Sequence, residues 1–188
     1  MVVCWMSTTL SAGPTGTWII SQALFSSFTI VSSAAFAQHK AEEAWWLTAT
    51  FVPNQTEYLS LRAAEIDPSW TALSPLDLAA LPKDAAGDLD WMKRDGFRFS
   101  WDSKLTGERS IHIAAGVYRA QDGSMGRFLL VLTKPTSGNW RVKLLHKEPG
   151  DPGFSVLRAT KSGIYWGTCM LCSDFRRIIA DKDSYRLQ

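Results

Sequence analysis

Past Gly96 the hydrophobic positions fall into short runs, each closed by turn-forming residues. In Gly96-Phe97-Arg98-Phe99-Ser100-Trp101, the residues Phe97, Phe99 and Trp101 share one face at a period of two. Ser110 to Tyr118 is small, β-branched and aromatic, as suits a half-buried pleated surface. Asp122-Gly123 follows, a hairpin signal because glycine reaches the positive φ of a tight turn without a steric cost. Arg127 to Thr133 is almost continuously apolar and lies between Gly126 and Pro135. Its length and flanks predict a central strand buried on both faces. After the turn residues Thr136 to Asn139, the residues Trp140, Val142 and Leu144 alternate with Arg141, Lys143 and Leu145, which predicts a half-buried strand with one polar face. Glu148-Pro-Gly-Asp-Pro-Gly153 predicts a loop, and Phe154 to Leu157 and Gly163 to Trp166 predict two further strands.

The middle of the chain is less regular. Ala41 to Phe51 predicts a short helix passing into a strand, ended by Pro53-Asn54. Tyr58 to Ile66 fits helical and strand periods equally. Ser74 to Leu81 predicts the clearest helix, with Ser74 as N-cap, Pro75 at the first helical position, Asp77 in the first turn and Pro82 as the stop. Lys83 to Asp90 reads as a polar loop. The fold class that follows is α+β and β-rich: an antiparallel meander, forming a sheet, a sandwich or a partial barrel, with one or two short helices toward the N-terminal side.

The first forty residues change the picture of where the chain goes. No Lys, Arg, Asp or Glu precedes Lys40, Trp18 to Ile30 is largely apolar, and Ala35-Phe36-Ala37 offers small residues at both cleavage positions. This predicts a secretory signal peptide over residues 1–37 and a single β-rich domain over residues 38–188. The signal lacks the usual cation ahead of its apolar core. A membrane anchor through residues 18–37 is the alternative. The expected location is therefore exported, periplasmic or secreted, with membrane attachment only if the segment stays uncleaved. The formal net charge of +2 gives no large basic field, so nucleic acid is not an expected partner.

Of three cysteines, Cys4 falls in the signal, leaving Cys169-Met170-Leu171-Cys172 as an even pair. In an oxidising compartment this spacing predicts a small disulfide, closing a turn between the strand ending at Gly167 and the segment Asp174 to Ala180. The competing reading is a thiol-disulfide redox pair, kept open by the helical spacing of Phe175, Ile178 and Ile179. A zinc site would need two more ligands, and His112 and His146 are isolated. His112 lies between Ile111 and Ile113, which turns it to the face opposite them and reads as a strand surface position. No nucleophile elbow, phosphate loop or His-Glu-x-x-His motif occurs. No catalytic residue, metal ligand or cofactor is therefore assigned.

Seven tryptophans lie beyond residue 37. Core packing accounts for such rings first. Exposed on a sheet, Trp101, Trp140 and Trp166, with Arg141, would make a binding surface instead. The sequence supports first an exported, non-catalytic binding domain with a protein partner. Second comes a redox protein using Cys169 and Cys172, and third a carbohydrate-binding module using exposed tryptophans. Asn54-Gln55-Thr56 also matches the N-glycosylation acceptor pattern.

Overall fold

The unbroken apolar run at Phe128–Leu132 becomes the centre of a sheet in a computed structural model of the chain, which describes residues 44–105, 109–182 and 184–188. In chain order the elements are α1 (Trp45–Thr48), β1 (Glu57–Tyr58), β2 (Leu61–Arg62), α2 (Ala63–Ile66), β3 (Trp70–Pro75), α3 (Leu89–Arg94) and β4 (Phe97–Arg98). Then follow β5 (Ser100–Leu105), β6 (Arg109–Ala120), β7 (Met125–Lys134), β8 (Arg141–Pro149), β9 (Val156–Thr160), β10 (Gly163–Gly167), β11 (Arg176–Asp181) and β12 (Ser184–Leu187). The described strand pairs are all antiparallel. The fold is the β-rich α+β meander expected, with consecutive strands paired in β6-β7-β8 and in β9-β10-β11-β12.

Strands β3, β6, β7 and β8 form one sheet, and β5 pairs with the free half of the β6 edge. Strands β12, β11, β10, β9 and β4 form the second. Alternation in β6 and β7 divides the first sheet between two cores. Ile111, Ile113, Leu129 and Val131 face the second sheet through Leu157 and Trp166. Phe128, Leu130 and Leu132 face the other way, onto Trp70, Leu73, Tyr118 and the α2 residues Ala63 and Ile66. Strand β7 is thus covered on both faces, and each of its large side chains contributes about 1.5–3 kcal/mol by burial. A third core closes one end, where Trp45, Met92, Phe97, Phe99, Phe154 and Met170 meet.

Local chemistry explains the connections. Gly123 takes φ +83° in the β6–β7 turn, and Asp122 Oδ1 accepts from the Ser124 amide at 2.9 Å. Gly116 is demanded by space: a Cβ there would stand 2.5 Å from the Phe128 ring that crosses it.

Several sequence expectations are corrected. The helix expected over Ser74 to Leu81 is absent, because Trp70–Pro75 pairs with β6. Only a 3-10 turn, Leu78–Ala80, remains, and its cap is Asp77, which accepts from the Ala80 amide at 2.8 Å. Ser74 instead donates to Asn54 Oδ1 at 2.9 Å. The expected loop at Lys83 to Asp90 is a 3-10 helix, Lys83–Asp88, running into α3. Tyr58 to Ile66 is neither one helix nor one strand, but a hairpin end followed by α2. The polar-face strand at Trp140 to Leu145 is interrupted by a bulge: Val131 pairs with Leu144 and Leu132 with Val142. The extra residue flips the phase, so Val142 joins one core and Leu144 the other. Strand β8 also runs on through Glu148 and Pro149, so the loop there starts at Gly150. Ile178 and Ile179 belong to β11, not to a helix.

Among the described residues no helix is long and apolar enough to cross a membrane. The signal or anchor expected over residues 1–37 lies outside the described residues.

Candidate functional site

Strand β10 ends at Gly167, where the Phe175 ring takes the space of a side chain, 2.8 Å from a notional Cβ. The chain then bends rather than crossing directly to β11. Cys169 and Cys172 are joined by a disulfide within this bend, their Cα atoms 5.4 Å apart. The bend is anchored on one side and open on the other. Cys169 and Met170 are buried, Met170 in the end core, while Leu171 is 72% exposed. Cys172, Ser173 and Asp174 are exposed as well. Thr168 Oγ1 donates to Asp174 Oδ2 at 3.4 Å across the bend's neck. A disulfide at this spacing removes little unfolded-state entropy but fixes the turn, so Leu171 is held out on a stiff mount.

Beside it lies a cavity of about 310 Å³ bordered by Arg158, Ser162, Tyr165, Cys172 and Phe175. Its rim is a hydroxyl chain: Ser162 Oγ meets Thr160 Oγ1 at 2.9 Å and Tyr165 Oη at 2.9 Å. Of the residues at this cavity, Tyr165 and Arg158 are of the types that dominate protein hot spots. No helix begins at Cys169, so the helix-end field that acidifies a redox thiol is missing here.

The proposed aromatic surface is not assembled. Trp166 is fully buried between the His146 ring, 5.3 Å away, and the Arg176 guanidinium, 4.7 Å away. Trp101 belongs to the core between the sheets and carries the Arg98 guanidinium 4.8 Å above its ring. Trp140 packs on the opposite core, edge-on to His112 at 6.0 Å, with Lys134 Nζ at 5.9 Å. Arg141, next to it, is exposed. Trp101 and Trp140 thus lie on different faces of one sheet. No tryptophan among the described residues is fully exposed.

One constellation went unnoticed in the sequence. His112 is not a surface residue; only 7% of it is exposed. Antiparallel pairing sets it opposite Asp102 on β5, and Nδ1 lies 2.7 Å from Asp102 Oδ1. Its Nε2 meets the Tyr58 hydroxyl at 2.5 Å. A carboxylate only accepts, so Nδ1 carries a proton, and in the neutral ring Nε2 then accepts from Tyr58. The series has the bond directions of a nucleophilic triad, with a tyrosine hydroxyl in the nucleophile's place, but the hydroxyl is not activated. Burial, and then the negative charge of Asp102, push the Tyr58 hydroxyl up to about 12, away from phenolate. The chain of bonds instead holds the β1–β2 hairpin to the sheet. Its turn residues Leu59 and Ser60 both have positive φ, 51° and 65°, an unfavourable geometry for side chains other than glycine. The sequence signal was present only as alternation around His112; its partners required the register.

A second polar cluster links the sheets. Glu148 on β8 pairs with Arg176 on β11, and Arg127 Nη2 lies 3.7 Å from its other oxygen. His146 Nε2 is 3.7 Å from Glu148, too long for a hydrogen bond. Burial first, and Arg176 second, hold the His146 imidazole below its usual 6.5 despite Glu148. Among the described residues no group of three or more His, Cys, Asp or Glu gathers to hold a metal ion.

Comparison with protein-family models, with curated proteins and with solved structures finds no match for this chain.

Proposed function

We propose that the chain is an exported, non-catalytic binding domain that engages a protein partner, with the disulfide-clasped bend as its apolar anchor. The observation that carries this reading is Leu171. It is 72% exposed while Cys169 and Met170, its two preceding neighbours, are buried beneath it. A large aliphatic side chain on a covalently closed mount loses little freedom on docking, which is how preorganised contacts gain affinity. Tyr165 and Arg158 at the adjoining cavity supply the aromatic and guanidinium contacts that such interfaces favour. Disulfide closure suits an oxidising compartment and agrees with export.

The test is capture from the extracytoplasmic fraction of the native host. Wild type is compared with Leu171→Asp and with Leu47→Asp, a control at another exposed leucine. A partner that stays with wild type and Leu47→Asp but weakens at least about tenfold with Leu171→Asp supports the reading. A partner retained equally by Leu171→Asp places recognition elsewhere.

A further inference from the structure

Strand β6 is longer than either neighbour on its outer edge, and two strands share that edge. β5 covers it up to Ala114, paired with Ser100, and β3 covers it from Gly116, paired with Pro75. Ala115 is the seam. Its amide donates to the Phe99 carbonyl at 2.9 Å, and its carbonyl accepts from the Leu76 amide at 2.9 Å. The backbone of β6 is therefore satisfied, but the two covering chains diverge from this point. Leu76 to Leu78 leaves in one direction and Phe97 to Ser100 arrives from another. Between them is a cavity of about 290 Å³ bordered by Leu76, Leu78, Phe97 and Phe99, with Lys93 and Arg98 at its edge.

That volume lies at the lower end of small-molecule pockets and exceeds the engineered cavity of about 150 Å³ that admits benzene. The charges decide what kind of molecule fits. Lys93 lies in the last turn of α3 and Arg98 on β4; both are exposed, and neither has a carboxylate partner among the described residues. The Arg98 guanidinium is steadied 4.8 Å above the Trp101 ring. Asp77, the acid on this rim, is engaged by the Ala80 amide as the cap of its 3-10 turn. Two cations flank an apolar cavity, with the acid held to the backbone.

We propose that this seam binds a small apolar carboxylate, such as a medium-chain acyl or aryl acid. The hydrocarbon enters between Leu76, Leu78 and the Phe97–Phe99 segment, and the carboxylate meets Arg98 and Lys93. A fork of guanidinium donors matches a carboxylate in two parallel hydrogen bonds, and its stacking on Trp101 prepares it to do so. The cavity is too small for a two-chain lipid, which commits the proposal to a free acid.

Octanoate is the probe, titrated into the purified full-length protein and followed by calorimetry and by leucine methyl NMR. Octylamine, with the same tail and the opposite charge, is the comparator. Octanoate is expected to bind saturably, at least about tenfold tighter than octylamine, and to shift the Leu76 and Leu78 methyl signals. Arg98→Gln combined with Lys93→Gln is expected to lose at least about tenfold in octanoate affinity while the protein keeps one cooperative unfolding transition, lowered only by loss of the Arg98–Trp101 contact. Equal binding of the amine, undiminished binding by the double variant, or no saturable binding of octanoate would each overturn the proposal. Because Leu171 lies outside this cavity, its variants leave octanoate binding unchanged if the site is as described.

Discussion

Tyr58 shows how a single hydroxyl can hold an element in place. Removing it by Tyr58→Phe leaves the buried Nε2 of His112 without a donor, which costs about 1–3 kcal/mol. In urea unfolding, the double variant Tyr58→Phe with His112→Leu should lose less than the two single variants summed, because no orphaned group then remains. The same hydroxyl gives an alkaline signature. With its folded pKa raised from 10.0 to about 12, Tyr58 contributes stability that is fully present below pH 10. That contribution is lost as pH rises through 12, since the unfolded chain gives up the proton first. Urea midpoints measured between pH 9 and 12 should therefore fall more steeply in wild type than in Tyr58→Phe. The sequence made His112 visible as the odd position between two isoleucines and also its direction, away from them. It did not reveal the burial, because Asp102 and Tyr58 reach the ring only through strand register and a distant hairpin.

At the scale of elements, the β10–β11 bend and the β8–β11 link behave differently under stress. Reducing the disulfide should lower unfolding stability by at most roughly 2 kcal/mol, given a sequence separation of 3, and leave the chain folded. Global unfolding on addition of reductant, read by near-ultraviolet circular dichroism, would contradict that. His146 should make the link between the sheets sensitive to acid. A histidine whose folded pKa is depressed contributes stability above its ordinary value of 6.5 and loses it as pH falls, because the unfolded chain takes up the proton more readily. The fall in thermal midpoint from pH 7 to 5 should be smaller in His146→Phe, which keeps a ring beside Trp166 but cannot titrate. Element types were legible where one preference dominated. The apolar run of β7, short and flanked by Gly126 and Pro135, favoured a central strand over a helix, and Asp122-Gly123 made its turn. They were illegible where tertiary pairing competed with local preference. Ser74-Pro75 carries sound helix-start chemistry, yet pairing of Trp70–Pro75 with the β6 edge, irregular only between Trp70 and Ala72, won.

Across the whole molecule, stability should be graded outward from β6 and β7. These strands have neighbours on both edges and cores on both faces, whereas the β1–β2 hairpin is two residues a side and β12 has one partner strand. Amide hydrogen exchange should accordingly be slowest in β6 and β7 and fastest in β1, β2 and β12. Protection in β12 equal to that in β7 would mean the second sheet opens only with the first. The candidate sites follow the same grading. The clasped bend and the seam beside Ala115 both lie where chains leave the ordered ladders, which leaves Leu171 and Leu78 exposed while Met170, Leu76, Phe97 and Phe99 stay in the core.

By itself the sequence determined the β-rich class, the antiparallel meander of successive strands and the spacing that allows Cys169 and Cys172 to meet. Each of these depends on residues near one another in the chain: turn chemistry, period and a short loop. Only the tertiary structure decided that Trp101 and Trp140 face apart, that Trp166 is buried, that Leu171 points outward and that a cavity opens at Ala115. Those outcomes depend on which strands share an edge and on a one-residue bulge in β8. Register of that kind is fixed by contacts between residues far apart in sequence, where local pattern carries no information.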